Sequence, residues 1–127
     1  MDPQPSQAIL IVDDDPSVTE TFTRLLTLEG FTVYSALSPE GGLGITGAKH
    51  PDAIIMDLRM PILSGLQFLQ RLRETRALRS IPVAIVTGDL FVDDSITTQI
   101  EALGASVLFK PLWLDELLAL AQGLTAA

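Results

Sequence analysis

Five side chains stand where apolar runs end, and their types suit phosphoryl chemistry. Asp13 and Asp14 follow AILIV (8–12), Asp57 follows AIIM (53–56), Thr87 closes IPVAIVT (81–87) and Lys110 follows VLF (107–109). Carboxylates crowded at the mouth of a buried strand repel one another and resist leaving water, so they need a neutralising cation. The chain has no cysteine and one histidine, His50. A hard, all-oxygen acidic pocket formed by Asp13, Asp14 and Asp57 is what Mg²⁺ prefers, and that ion commonly keeps several waters and binds phosphate as well. A lysine and a hydroxyl nearby can contact the remaining phosphate oxygens, which makes a site built for phosphoryl transfer. Lys110 is one of only two lysines, and its place directly after an apolar run argues against a simply solvated charge. Asp15 has a plainer job: followed by Pro16, it reads as a helix N-cap with proline at the first helical position.

Such a site requires elements that bring these run ends together. Ala8–Val12, Phe31–Ala36, Ala53–Met56, Ile81–Thr87 and Val107–Phe109 are strand-length and rich in β-branched residues. Several are too uniformly apolar for a sheet with one wet face, so both faces are expected to be covered. Between them lie helical spacings: Val18, Phe22, Leu25 and Leu26; Leu66, Leu69 and Leu72 with Phe68 beside them; then Ile96, Ile100 and Leu103. Gly30 and Gly104 serve as helix stops, Ser38-Pro39 as a helix start, and Pro51 and Pro82 precede or open strands. Five βα units in a parallel, doubly wound α/β sheet are the expectation, with the ligand site at the carboxyl ends of the strands.

Composition narrows the function classes. The chain has 127 residues, enough for one domain with a real core, and 47% of them are hydrophobic. A mean hydropathy of +0.38 argues against disorder. The apolar runs are far too short to cross a bilayer, and the start MDPQPSQ lacks the basic region of a secretion signal, so a cytoplasmic location is expected. The net charge of −8 argues against direct nucleic acid binding by this segment on electrostatic grounds.

ILIVDDDP, IIMDLRMPILSG, VTG and FKP, in this order and at these strand ends, resemble the receiver domain of two-component response regulators. The match runs from about Ala8 to the last helix, giving a domain over 8–123 between short tails at 1–7 and 124–127. The resemblance implies a flavodoxin-like fold of five strands with helices on both faces. It implies that Asp57 accepts a phosphoryl group from a sensor histidine kinase or phosphotransfer protein, switching a surface read by a downstream effector. Asp14 and Asp57 would bind Mg²⁺ with the backbone carbonyl of Arg59, Asp13 would support through water, and Lys110 and Thr87 would hold the phosphoryl oxygens. Met60-Pro61 and Gly65 match the family's turn after the acceptor. Arg59 and Asp89 occupy loop positions that flank the phosphoryl group in receivers, and their opposite charges allow a salt bridge over it. Dimerisation, kinase and output target are left open.

This chain departs from the family pattern in the last unit. Val107 stands three residues before the lysine, where an aromatic that follows the movement of the hydroxyl residue is usual, and Leu112 replaces the usual phenylalanine after Lys110-Pro111. Trp113 occupies the expected cap of the last helix, as partner surface or as packing over the fifth strand. Gly42-Leu43-Gly44-Ile45-Thr46-Gly47 fits G-x-G-x-x-G, but Ser38-Pro39 has already started a helix there, so the glycines read as a weak second helix rather than a dinucleotide site. His50 falls in a loop before Pro51. Two competing functions remain. A phosphatase forming an aspartyl-phosphate would use D-x-D, whereas this chain has Asp57-Leu58-Arg59 and lacks the second acid. A receiver-like module that binds without being phosphorylated would not need the full set of site residues present here.

Overall fold

The computed structural model describes residues 7–58, 65–88, 94–110 and 112–126. Strands and helices alternate throughout: β1 (Ala8–Val12), α1 (Pro16–Leu28), β2 (Thr32–Ala36), α2 (Pro39–Lys49), β3 (Ala53–Asp57), α3 (Gly65–Glu74), β4 (Val83–Thr87), α4 (Asp94–Ala102), β5 (Ser106–Phe109) and α5 (Leu114–Thr125). The strands form one sheet in the order β2-β1-β3-β4-β5, with every neighbouring pair parallel. The expected doubly wound (βα)₅ architecture is what the chain adopts.

Alternation along the strands divides the core in two. Leu10, Val12, Ile54, Met56 and Ile85 face one side, where they pack with Phe68, Leu69 and Leu72 of α3 and Ile100 of α4. Ile9, Ile11, Ile55 and Val86 face the other side, against Leu26 of α1 and Leu117 and Ala121 of α5. β3 and β4 are buried at every position, because each is central and covered on both faces. The edge strands β2 and β5 are partly exposed.

The helix ends follow their capping residues. Asp15 caps α1 by accepting a hydrogen bond from the Ser17 N–H at 2.9 Å, with Pro16 opening the helix. Ser38 caps α2 by accepting from the Gly41 N–H at 3.1 Å. Gly30 and Gly104 adopt φ of +97° and +78°, the left-handed region in which glycine ends a helix without strain. His50, expected in a loop, is the C-cap of α2 with φ 47°. Trp113 is the N-cap of α5, where its backbone N–H donates to Glu116 Oε1 at 3.3 Å. The residue is 68% exposed, so of the two readings of this tryptophan, packing over the fifth strand is not what the fold uses. No helix among the described residues is long and apolar enough to cross a membrane.

Candidate functional site

In a parallel sheet all carboxyl ends lie along one edge. The site forms where the order reverses, since the chain leaves β1 toward β2 on one side and β3 lies on the other. Asp13 follows β1, Asp57 ends β3, Thr87 ends β4 and Lys110 follows β5, so four of the five predicted side chains are delivered by strand ends. Asp14 completes the group. One oxygen from each of Asp13, Asp14 and Asp57 lies within 4.8 Å of the others.

These acids differ in environment. Asp13 is 4% exposed and Asp57 8%, whereas Asp14 is open to solvent. Lys110 Nζ donates to Asp13 Oδ2 at 2.9 Å and sits 3.7 Å from Asp57 Oδ1, so one ammonium spans both buried carboxylates. Burial opposes the charge on Lys110. The hydrogen bond to Asp13 and the fields of Asp57, Asp13 and Asp15 outweigh that effect and hold the lysine pKa above its usual value. The other Asp13 oxygen, Oδ1, accepts from the Asp15 N–H at 3.0 Å, so the backbone that caps α1 also orients the first acid.

Thr87 is fully buried and pairs in register with Phe109 on β5. Its carbonyl accepts from the Lys110 N–H at 2.8 Å, which ties the hydroxyl residue to the lysine through backbone. Neither this link nor the Asp15–Asp13 bond has a signature in residue types. Gly65 makes a tight approach behind the acceptor strand: a Cβ there would lie 2.7 Å from the Asp57 carbonyl oxygen and 3.0 Å from Leu58 Cα. Its N–H donates to Leu58 O at 2.9 Å, so α3 starts hard against the end of β3. An apolar hollow of about 300 Å³, walled by Val18, Phe22 and Leu112, adjoins the cluster at Lys110.

Val107, in the position usually aromatic, is half-buried against the Leu10 side of the core. Arg59, Asp89, Met60 and Pro61 lie outside the described residues. The G-x-G-x-x-G stretch lies wholly within α2, where a Cβ on Gly42 would come within 2.9 Å of Val12 Cγ2 and 3.1 Å of Phe68 Cε2. That glycine serves close packing of helix on sheet, and the nucleotide-site reading has no strand end to stand on.

A family model described as the response regulator receiver domain matches residues 9–122. Response regulator MprA of Mycolicibacterium vanbaalenii is 35% identical over 114 residues, covering 87% of this chain and 47% of that protein. Transcriptional regulatory protein PrrA of Mycobacterium tuberculosis is 34% identical over 119 residues, covering 94% of this chain and 50% of that protein. The chain thus spans about half the length of these curated relatives. Among solved structures, chemotaxis protein CheY4 of Vibrio cholerae superposes with a TM-score of 0.86 at 25% identity, covering 94% of this chain and 99% of that one. A response regulator receiver protein from Pseudomonas putida gives a TM-score of 0.87 at 26% identity, covering 95% and 99%.

Proposed function

The chain belongs to the response regulator receiver family, and we propose that Asp57 is its phosphoryl acceptor. The observation carrying this reading is the ammonium of Lys110 held between Asp13 and Asp57, beside a third acid, at one strand edge. A carboxylate oxygen of Asp57 attacks the phosphorus of a phosphohistidine on a sensor kinase or phosphotransfer protein. The O–P bond forms as the N–P bond breaks, and the imidazole leaves. Lys110 then turns from a carboxylate partner to a phosphoryl-oxygen partner, and the Thr87 hydroxyl takes another oxygen. The hollow beside Lys110 offers the donor an apolar wall.

The donor set fits Mg²⁺: three carboxylates converge, and among the described residues no histidine or cysteine joins the group. Asp14, Asp57 and the Arg59 carbonyl would hold the ion, with Asp13 acting through water. Bound there, it would neutralise charge on the phosphoryl group and the acids. On this reading the domain catalyses only its own phosphorylation and slow dephosphorylation, works in the cytoplasm, and hands its state to an effector domain or protein.

Intact mass after incubation with Mg²⁺ and a small phosphodonor tests the assignment. One addition is expected on the wild type and none on Asp57→Asn. A full-stoichiometry adduct on another residue would overturn it, and continuous turnover of the donor would favour a phosphatase. In receivers the loop positions corresponding to Arg59 and Asp89 flank the phosphoryl group, and we carry that role to these two residues: a guanidinium over the line of attack would slow water. Loss of phosphoryl should therefore be faster in Arg59→Ala and Asp89→Ala, with little further gain in the double variant. Unchanged loss from Arg59→Ala would remove that role.

A further inference from the structure

Positive charge is concentrated at the opposite edge of the sheet. Residues 71–79, RLRETRALR, contain four arginines and one glutamate, while the remaining 118 residues contain four basic and 15 acidic side chains. This stretch runs from the last turn of α3 toward β4 and so lies at the amino-terminal edge, away from the acidic cluster. Cations in a last helical turn suit the helix dipole, and exposed arginines alone would be an ordinary solvated face.

Arg73 departs from that description. It is half-buried, and its Nε donates to the Leu103 carbonyl at 2.7 Å. Its Nη1 donates to the carbonyls of Arg79 at 2.9 Å and Ile81 at 2.6 Å. A guanidinium has five N–H donors, so among the described residues the two on Nη2 remain after these three bonds. No carboxylate pairs with any of the four arginines among the described residues. Burial without a counter-charge lowers the Arg73 pKa from its usual value. Arg73 and Arg79 line a cleft of about 440 Å³ with Ala102 and Leu103. A second hollow of about 240 Å³, lined by Gln70 and Gln99, shares those last two residues. A trough between α3 and α4 therefore begins at two arginines and continues to two glutamines.

We propose that this trough binds an acidic segment of a partner protein, one of its carboxylates pairing with the Nη2 donors of Arg73 and with Arg79. A guanidinium whose orientation is already fixed matches the planar fork of a carboxylate. The glutamines can hydrogen-bond the backbone of the extended segment, and exposed Arg71 and Arg76 add to its attraction. A short acidic segment suits the patch better than nucleic acid, because its charge can be confined to the few arginines of 71–79, whereas a phosphate backbone carries its charge on past them along a chain that is otherwise strongly acidic. The site is independent of the phosphoryl chemistry proposed for Asp57.

Fluorescence anisotropy of a labelled hexaglutamate peptide titrated with the whole chain tests this. Saturable binding is expected, weakening with salt. Arg79→Ala and Arg73→Lys should each weaken it by about tenfold or more, the worth of one charge-assisted hydrogen bond. Arg24→Ala, which removes an exposed arginine on α1, should leave it unchanged, and Asp57→Asn should bind as the wild type does. Thermal melts confirm folding, and if Arg73→Lys unfolds, Arg79→Ala carries the test. The proposal fails if the wild type shows no saturable binding at millimolar concentration, or if Arg24→Ala weakens it equally. Tighter binding of a single-stranded oligonucleotide of equal charge would also overturn it, as would self-association abolished by Arg79→Ala, which would give the trough to a second copy.

Discussion

Lys110 keeps 26% of its side chain in water, whereas the Asp13 side chain it bonds keeps 5%. The pair is therefore asymmetric: losing the lysine strands a nearly buried carboxylate next to a second one. Removing one partner of a fully buried pair costs about 3–5 kcal/mol, and partial exposure of the lysine should bring this down to roughly 2–3 kcal/mol for Lys110→Ala. Denaturant melts in chelator would measure it. Mg²⁺ should restore part of the loss, because a second cation would then serve the same acids. A loss below roughly 0.5 kcal/mol would place Lys110–Asp13 among ordinary surface pairs. Asp13, Asp57, Thr87 and Lys110 were legible because each ends or directly follows a recognisable strand. The Asp15 N–H on Asp13 and the Lys110 N–H on Thr87 were not, since backbone partners leave no mark on residue type.

Helix α2 shows the same division. Its sequence, PEGGLGITGAK, has four glycines and little apolar periodicity, yet Ser38-Pro39 marked its start and the structure carries it to Lys49. Tertiary packing holds it in place: Gly42 and Thr46 are buried, and Gly42 lies against Val12 and Phe68. Gly44 and Gly47 meet nothing within 4 Å of an added Cβ. Gly44→Ala and Gly47→Ala should each stabilise the domain by about 0.5–1 kcal/mol, by lowering the entropy lost on forming the helix. Gly42→Ala should not, because overpacking at 2.9 Å costs about 1–3 kcal/mol and cancels or exceeds the helical gain. Equal stabilisation by all three in thermal melts would mean that α2 is not pressed on the sheet as described. The strands were easiest to read where both faces are buried. Boundaries moved at β2, β3, β4 and β5: Phe31, Ile81 and Pro82 fall outside the strands, and Asp57 and Ser106 fall inside. Two of these are edge strands whose exposed positions blur the pattern, and at β4 the proline before Val83 cannot donate to the ladder.

The molecule as a whole joins an apolar two-faced core to a charged strand edge. Ile9 to Val12 and Ala53 to Met56 are at most 1% exposed, and each run passes directly into a nearly buried aspartate. The core thus holds Asp13 and Asp57 close together whether or not their repulsion is relieved, and part of the folding free energy opposes that repulsion. A cation bound by the folded state alone would return it by mass action, stabilising by about 2.7 kcal/mol at a hundredfold excess over its dissociation constant. For a domain of this size that corresponds to a rise in Tm of roughly 8–14 °C. Mg²⁺ should therefore raise the melting temperature in a saturable way, and Ca²⁺ in place of Mg²⁺ would show how far the site depends on geometry. Asp14 is exposed and is not one of the buried residues of the core, so Asp14→Ala separates metal binding from packing. That variant should lose most of the Mg²⁺-dependent shift while melting in chelator at or above the wild-type temperature, since one repelling charge is gone. A full Mg²⁺ shift in Asp14→Ala would contradict its place among the metal ligands. A lowered melting temperature in chelator would show instead that Asp14 stabilises the fold through contacts other than the metal.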